Sequence, residues 1–228
     1  MSDTLPREST GDRLHLLARM GISSIPGLGG PALELFNALI APPMQRRRDC
    51  WLAELEERLA KLEQQGRLNL DDLGRSDEFI STVMQASMIA IRNHRREKLE
   101  ALRNAVVYVA CGNSVEDSRR ELFLSFVDVL TGWHLKVLEG FWRRDQRDKP
   151  HCRVLTGVTE IVNFAYDVLP ELRIDQPLTE LVVEELCRKG LLTWSQHGRN
   201  VYIAPGTTQV SELGNEFLKF ISDPPNPE

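Results

Sequence analysis

"GRSDEFISTVMQASMIAIRNHRREKLEALRNAVVYVACG", residues 74–112, holds 37 consecutive residues without glycine or proline between its two end glycines. Ile80, Val83, Met84, Ser87, Ile91, His94, Lys98, Leu102, Ala105 and Val109 step by three or four, the spacing of one helical face. Ser76 is placed to cap the start, with Asp77 and Glu78 in the first turn, where the helix dipole favours anions. The simplest reading is one helix over about 77–111, a rod about 50 Å long at 1.5 Å per residue. Such a rod needs other helices along its length, so the chain reads as mainly α.

On the amino-terminal side, residues 1–10 read as disordered. Short helices follow over 11–20 and from Pro31 to Ala41, separated by a Gly-Pro loop, with Pro42-Pro43 ending the second. Pro43 opens a third helix reaching Gln65, with Gly66 as its stop. Trp51, Leu55, Leu59 and Leu62 are its apolar stripe, and Glu54–Arg58 and Glu57–Lys61 are i,i+4 pairs on its wet side. On the carboxyl side, Gly112-Asn113 turns the chain and Ser114 is read as the next cap. Leu122, Phe123, Phe126, Val127 and Leu130 form the following core face. Thr131-Gly132 breaks the chain before a helix over 132–143, whose Trp133 and Trp142 mark a well-packed end of a bundle, with a binding surface as the alternative. Residues 11–143 thus make an α-helical bundle, and 144–153, dense in charge, a linker.

Residues 154–222 change character. Helices are expected over 157–168 and from Thr179 to about Arg188, with Gly190 as stop. Leu191 to Ser195 alternates like a strand, His197 to Asn200 is turn chemistry, and Val201 to Ile203 returns as a second strand. Ser211 caps a last helix, and 223–228 is a polar tail. Helices, β-hairpin, helix is the order of a winged-helix module. Its reading helix, LTELVVEELCRK, carries Glu180, Glu184 and Glu185 against Arg188 and Lys189. Most nonspecific DNA affinity comes from neutralising phosphates, so this helix suits a protein contact better than a duplex.

The net charge of −5 over 228 residues excludes a chain that binds nucleic acid by bulk positive charge. The amino terminus lacks the apolar core of a signal peptide. Cys50, Cys111, Cys152 and Cys187 are far apart and make no CxxC pair, as in reduced cytoplasmic proteins. No zinc spacing, phosphate loop or nucleophile motif is present, so the sequence implies no enzyme and no cofactor or metal. Candidate contacts to a phosphate or an acidic partner are Arg92, Arg95, Arg96, Lys98, Arg143, Arg144, His197 and Arg199. Residues 22–44 are apolar and precede three arginines. Candidate membrane or partner contacts there are Leu28, Leu35, Phe36, Ile40, Arg46, Arg47 and Arg48. The Pro31–Ala41 helix rises about 16 Å, half of a ~30 Å hydrocarbon core, so a spanning segment is not expected.

"IPGLGGPALELFNALIAPPMQRRRDCWLAELEERL", "EKLEALRNAV", "FVDVLTGWHLKVLEGF" and "SELGNEFLKFI" are similar to a group of uncharacterised bacterial proteins with a helical and winged-helix layout. The layout also resembles, more remotely, the Abi-alpha (abortive infection alpha) family. That resemblance implies a bacterial cytoplasmic helical protein linked to phage defence, and it brings no catalytic residues. The leading reading is a non-enzymatic interaction or assembly protein that binds a protein partner or itself. A winged-helix DNA-binding regulator is the first alternative. A membrane-perturbing effector acting through residues 22–44 is the second.

Overall fold

The computed structural model describes residues 41–147, 158–193 and 210–223. Expectations for residues 1–40, 148–157, 194–209 and 224–228 lie outside it. They include the two amino-terminal helices, the strand over 201–203, His197, Arg199, Leu28, Leu35, Phe36 and Ile40. The chain divides into two compact units, Met1–Glu54 and Leu55–Glu228. The second contains all the packing that positions the site.

The described residues are mainly helical: α1 Ala41–Gln64, α2 Leu70–Leu73, α3 Asp77–Arg92, α4 Arg96–Ala110, α5 Asp117–Val129, α6 Gly132–Arg147, α7 Val158–Val168, a 3-10 turn Pro170–Ile174, α8 Gln176–Arg188 and α9 Glu212–Ile221. Several sequence signals act as read. Ser76 Oγ accepts from Phe79 N–H at 3.2 Å, and Ser211 Oγ accepts from Gly214 N–H at 2.9 Å. Gly66, Gly112 and Gly190 take the left-handed conformation that ends helices. Trp51, Leu55, Leu59 and Leu62 are buried. Two caps differ from expectation. Glu116, not Ser114, caps α5, and α8 starts before the expected Thr179, at Gln176, with Asp175 as its cap. The Thr179 hydroxyl instead donates to the carbonyls of Leu172 and Asp175. Pro42 and Pro43 sit in the first turn of α1, where a missing N–H costs nothing.

The rod over 77–111 is corrected. The helix stops at Arg92, and Asn93, His94 and Arg95 form a non-helical corner before α4. Asn93 ends α3 without glycine or proline: its backbone is extended and its side-chain amide donates to the Ile89 carbonyl at 2.8 Å. Packing supplies the reason. Glu78, at the start of α3, meets Arg120 at the start of α5. Arg92, at the end of α3, meets Asp128 at the end of α5. Lys98, at the start of α4, donates to the Asp128 carbonyl. Helices α3 and α5 therefore run the same way, and α4 runs back against both. A straight rod leaves the apolar faces of both halves in water, whereas the reversal buries Ala86, Ile89 and Ala90 of α3 with Leu102, Ala105, Val106 and Val109 of α4.

Helix α9 closes this core. Phe217 and Phe220 lie 5.6 Å from the Phe123 ring, centroid to centroid, and Phe217 is 5.6 Å from Phe126. The buried Asn104 amide donates to the Ile221 carbonyl at 2.8 Å, satisfying the end of α9, and its oxygen accepts from Arg58. Helices α6, α7 and α8 pack on one another, and α6 also touches α9. The described residues do not show the expected β-hairpin: Leu192 makes an isolated antiparallel bridge with Val210, which lies outside the expected second strand.

Candidate functional site

The basic residues picked out by sequence do not form one patch. Arg92 is held by Asp128 at 2.8 Å, and Arg143 by Glu139 at 2.6 Å. The Arg144 guanidinium lies 5.2 Å from the Phe164 ring. Arg48 pairs with Asp49, while Arg46, Arg47 and Arg96 are exposed. Arg143 and Arg144 line a hollow of about 620 Å³ together with Lys136, Glu139 and Asp167. Arg95 and Lys98 share another, of about 380 Å³, which Asn93, Glu97, Thr131, Gly132, Trp133 and Lys136 also line. The chain reversal builds it: the α3–α4 corner supplies Asn93 and Arg95, and the start of α6 stands opposite.

Lys98 is the unusual member. It is 7% exposed, its Nζ donates to the Asp128 carbonyl at 2.6 Å, and burial lowers its pKa against the pull of Asp128. Trp133, 37% exposed, separates this hollow from a second one of about 180 Å³, walled by Leu172, Ile174, Leu178 and Val182. Ile174 is 89% exposed and Leu181, one turn along α8 from Leu178, is 63% exposed. Lys136 reaches both sides: its Nζ lies 5.2 Å from the Trp133 ring centre and 4.0 Å from Glu171. Exposed large apolar side chains gathered around a concavity are costly in water and mark contact surfaces.

A buried polar chain holds this face in shape. His134 Nδ1 accepts from the Thr131 N–H at 3.1 Å and lies 2.7 Å from the Thr131 hydroxyl. The backbone N–H has only a proton to give, so Nδ1 is bare and Nε2 carries the hydrogen toward Glu185, 3.0 Å away. Histidine here takes the part of the glutamate in a capping box, reaching back to Thr131, the residue just before the helix. The three residues also line up as hydroxyl, imidazole and carboxylate, but the Nδ1 lone pair is shared with a backbone donor, which makes the arrangement a helix cap that ties α6 to α8.

Burial, the larger influence, pushes His134 below its ordinary 6.5. Glu185 pulls it up, and Lys189 and Lys98 push it further down. The unfolded chain therefore takes up a proton that the folded one resists, and stability falls as the pH drops through about 6.5. His134→Asn keeps an acceptor for the Thr131 N–H and removes the titration. Urea midpoints between about pH 7 and pH 5 should decline less for this variant than for the parent. Superimposable profiles would contradict the assignment.

Sequence reasoning treated Trp133 first as core and did not pick out Ile174, Leu178 and Leu181. A signal was present: residues 178, 181, 182, 183 and 186 of α8 are all apolar, more than one buried stripe of a helix accommodates. Among the described residues no group of His, Cys, Asp and Glu is arranged to hold a metal ion, and no helix is long and apolar enough to cross a membrane. Comparison with protein-family models, curated proteins and solved structures gives no match.

Proposed function

We propose that this chain is a non-enzymatic interaction protein that recognises a protein partner through the face formed by the start of α6, the 3-10 turn and α8. The exposure of Trp133, Ile174 and Leu178 around one concavity, with Leu181 exposed one turn along α8 from Leu178, carries the reading. Binding energy at protein interfaces concentrates in aromatic and aliphatic anchors that fill pockets, and this face offers both an anchor and a pocket.

A DNA-binding role has less support. The helix that would read a duplex exposes Glu180 and Leu181, with Glu184 paired to Arg188, and two of the candidate phosphate contacts, Arg92 and Arg143, are paired with Asp128 and Glu139. Because the layout of the sequence resembles, remotely, that of the Abi-alpha family, the cellular setting we propose is phage defence or a stress response.

Site-specific photo-crosslinking in the cells that make the protein tests the reading. A benzophenone amino acid at position 181 or 174 should give light-dependent adducts of higher mass that protease removes. The same probe at the exposed Glu56 or Glu121 should give none. Adducts removed by nuclease, or none at 181 and 174, would contradict it.

A further inference from the structure

The two hollows that meet at Trp133 differ in character, and the difference specifies an occupant. The smaller is apolar and holds about one large side chain. The larger is lined by Arg95, Lys98 and Lys136 against Glu97, an excess of two positive charges among the described residues. Lys98 gives one of its three hydrogens to the Asp128 carbonyl. A nearly buried ammonium with hydrogens to spare gains more from an arriving anion than an exposed one does, because water screens it less. The first turn of α6 opens onto the same hollow, with N–H groups that the helix itself cannot satisfy.

Acids on the opposite side fix a direction. Glu171 and Asp175 border the apolar hollow. An acidic group is therefore repelled on the α8 side of Trp133 and attracted on the α4 side. Lys136, between Glu171 and the basic hollow, marks the change of sign.

Resting on the partner-binding reading above, we infer that the occupant is a protein segment in which a large apolar side chain is followed closely by a carboxylate. The apolar group fills the hollow beside Trp133, and the carboxylate is taken by Lys98, Arg95 and Lys136. Neutral apolar segments lack the second contact, and basic ones are repelled by it.

Selection of random twelve-residue peptides displayed on phage, with the full chain as bait, tests this. Recovered sequences should pair Leu, Ile, Met, Phe or Trp with Asp or Glu within about three positions, because an extended chain advances about 3.3 Å per residue. A synthetic, fluorescein-labelled copy of a recovered peptide should bind at least tenfold more weakly to Arg95→Glu, to Lys136→Glu and to Trp133→Ala. Met84→Glu, on the exposed apolar strip of α3, should leave binding unchanged. Circular dichroism melts establish that each variant is folded, and Trp133→Phe should restore most of the binding lost in Trp133→Ala. Recovery of neutral or basic peptides whose binding is lost in Trp133→Ala would overturn the acidic requirement and leave partner binding standing. Recovery of no peptide, or of peptides indifferent to all three variants, would overturn the assignment of the site, while the crosslinks at position 181 report separately on partner binding. A labelled DNA duplex whose binding is lost in Leu181→Glu would assign the face to nucleic acid and overturn both.

Discussion

Gly214→Ala should unfold much of the carboxyl-terminal packing, although alanine is the better helix former. In an exposed helix interior that exchange gains up to about 1 kcal/mol. At Gly214 a Cβ would sit 2.3 Å from the Leu191 carbonyl oxygen and 2.8 Å from Val210 Cγ1. The oxygen is backbone and already accepts from the Ser211 N–H at 3.0 Å, so it cannot simply turn aside. Relief requires α9 to move away from Leu191, which breaks the Leu192–Val210 bridge and lifts Phe217 and Phe220 from the core. The expected loss is about 3 kcal/mol or more, at the upper end for overpacked sites. Gly132→Ala provides the contrast. Nothing lies within 4 Å of its added Cβ, and its stability should stay within about 1 kcal/mol of the parent. Equal denaturation midpoints for the two variants would contradict the close approach of α9.

Phe123→Ala should cost about 3–5 kcal/mol, a large share of a typical domain's total. Phe123 is buried and touches the rings of Phe126, Phe217 and Phe220, so its removal opens a cavity shared by α5 and α9. Neither helix can collapse into the space without losing its other contacts. Phe123→Leu retains much of the volume and should cost less than half as much. Chemical denaturation of the pair measures this directly, and a loss below about 1 kcal/mol for Phe123→Ala would show that α9 does not lie where it is described.

Local signals in the sequence were legible wherever they act locally. Ser76 and Ser211 cap their helices because a hydroxyl two or three residues from free N–H groups needs nothing else. Gly66, Gly112 and Gly190 stop helices because their left-handed backbone suits glycine. The reversal at Asn93 was not legible, since nothing within residues 74–112 forbids a straight helix. It follows from long-range contacts, chiefly Glu78–Arg120 and Lys98–Asp128, that no periodicity encodes. The return of α9 to α4 was hidden for the same reason: Asn104 and Ile221 stand far apart in sequence. Arg95 and Lys98 were picked out as a charge run, yet their meaning depends on Trp133 and Lys136, which arrive from another helix. Arg92, in the same run, is instead consumed by Asp128.

The basic hollow and the core both depend on the chain turning back at residues 93–95. Nitroxide labels at Ser81 and Ser114, in a chain with its four cysteines replaced, measure that turn by pulsed electron resonance. The antiparallel arrangement of α3 and α4 places the labels within about 25 Å, allowing for helix spacings of about 10 Å and the label arms. A distribution centred near 50 Å, the span of one straight helix between those positions, would contradict the reversal and with it the site.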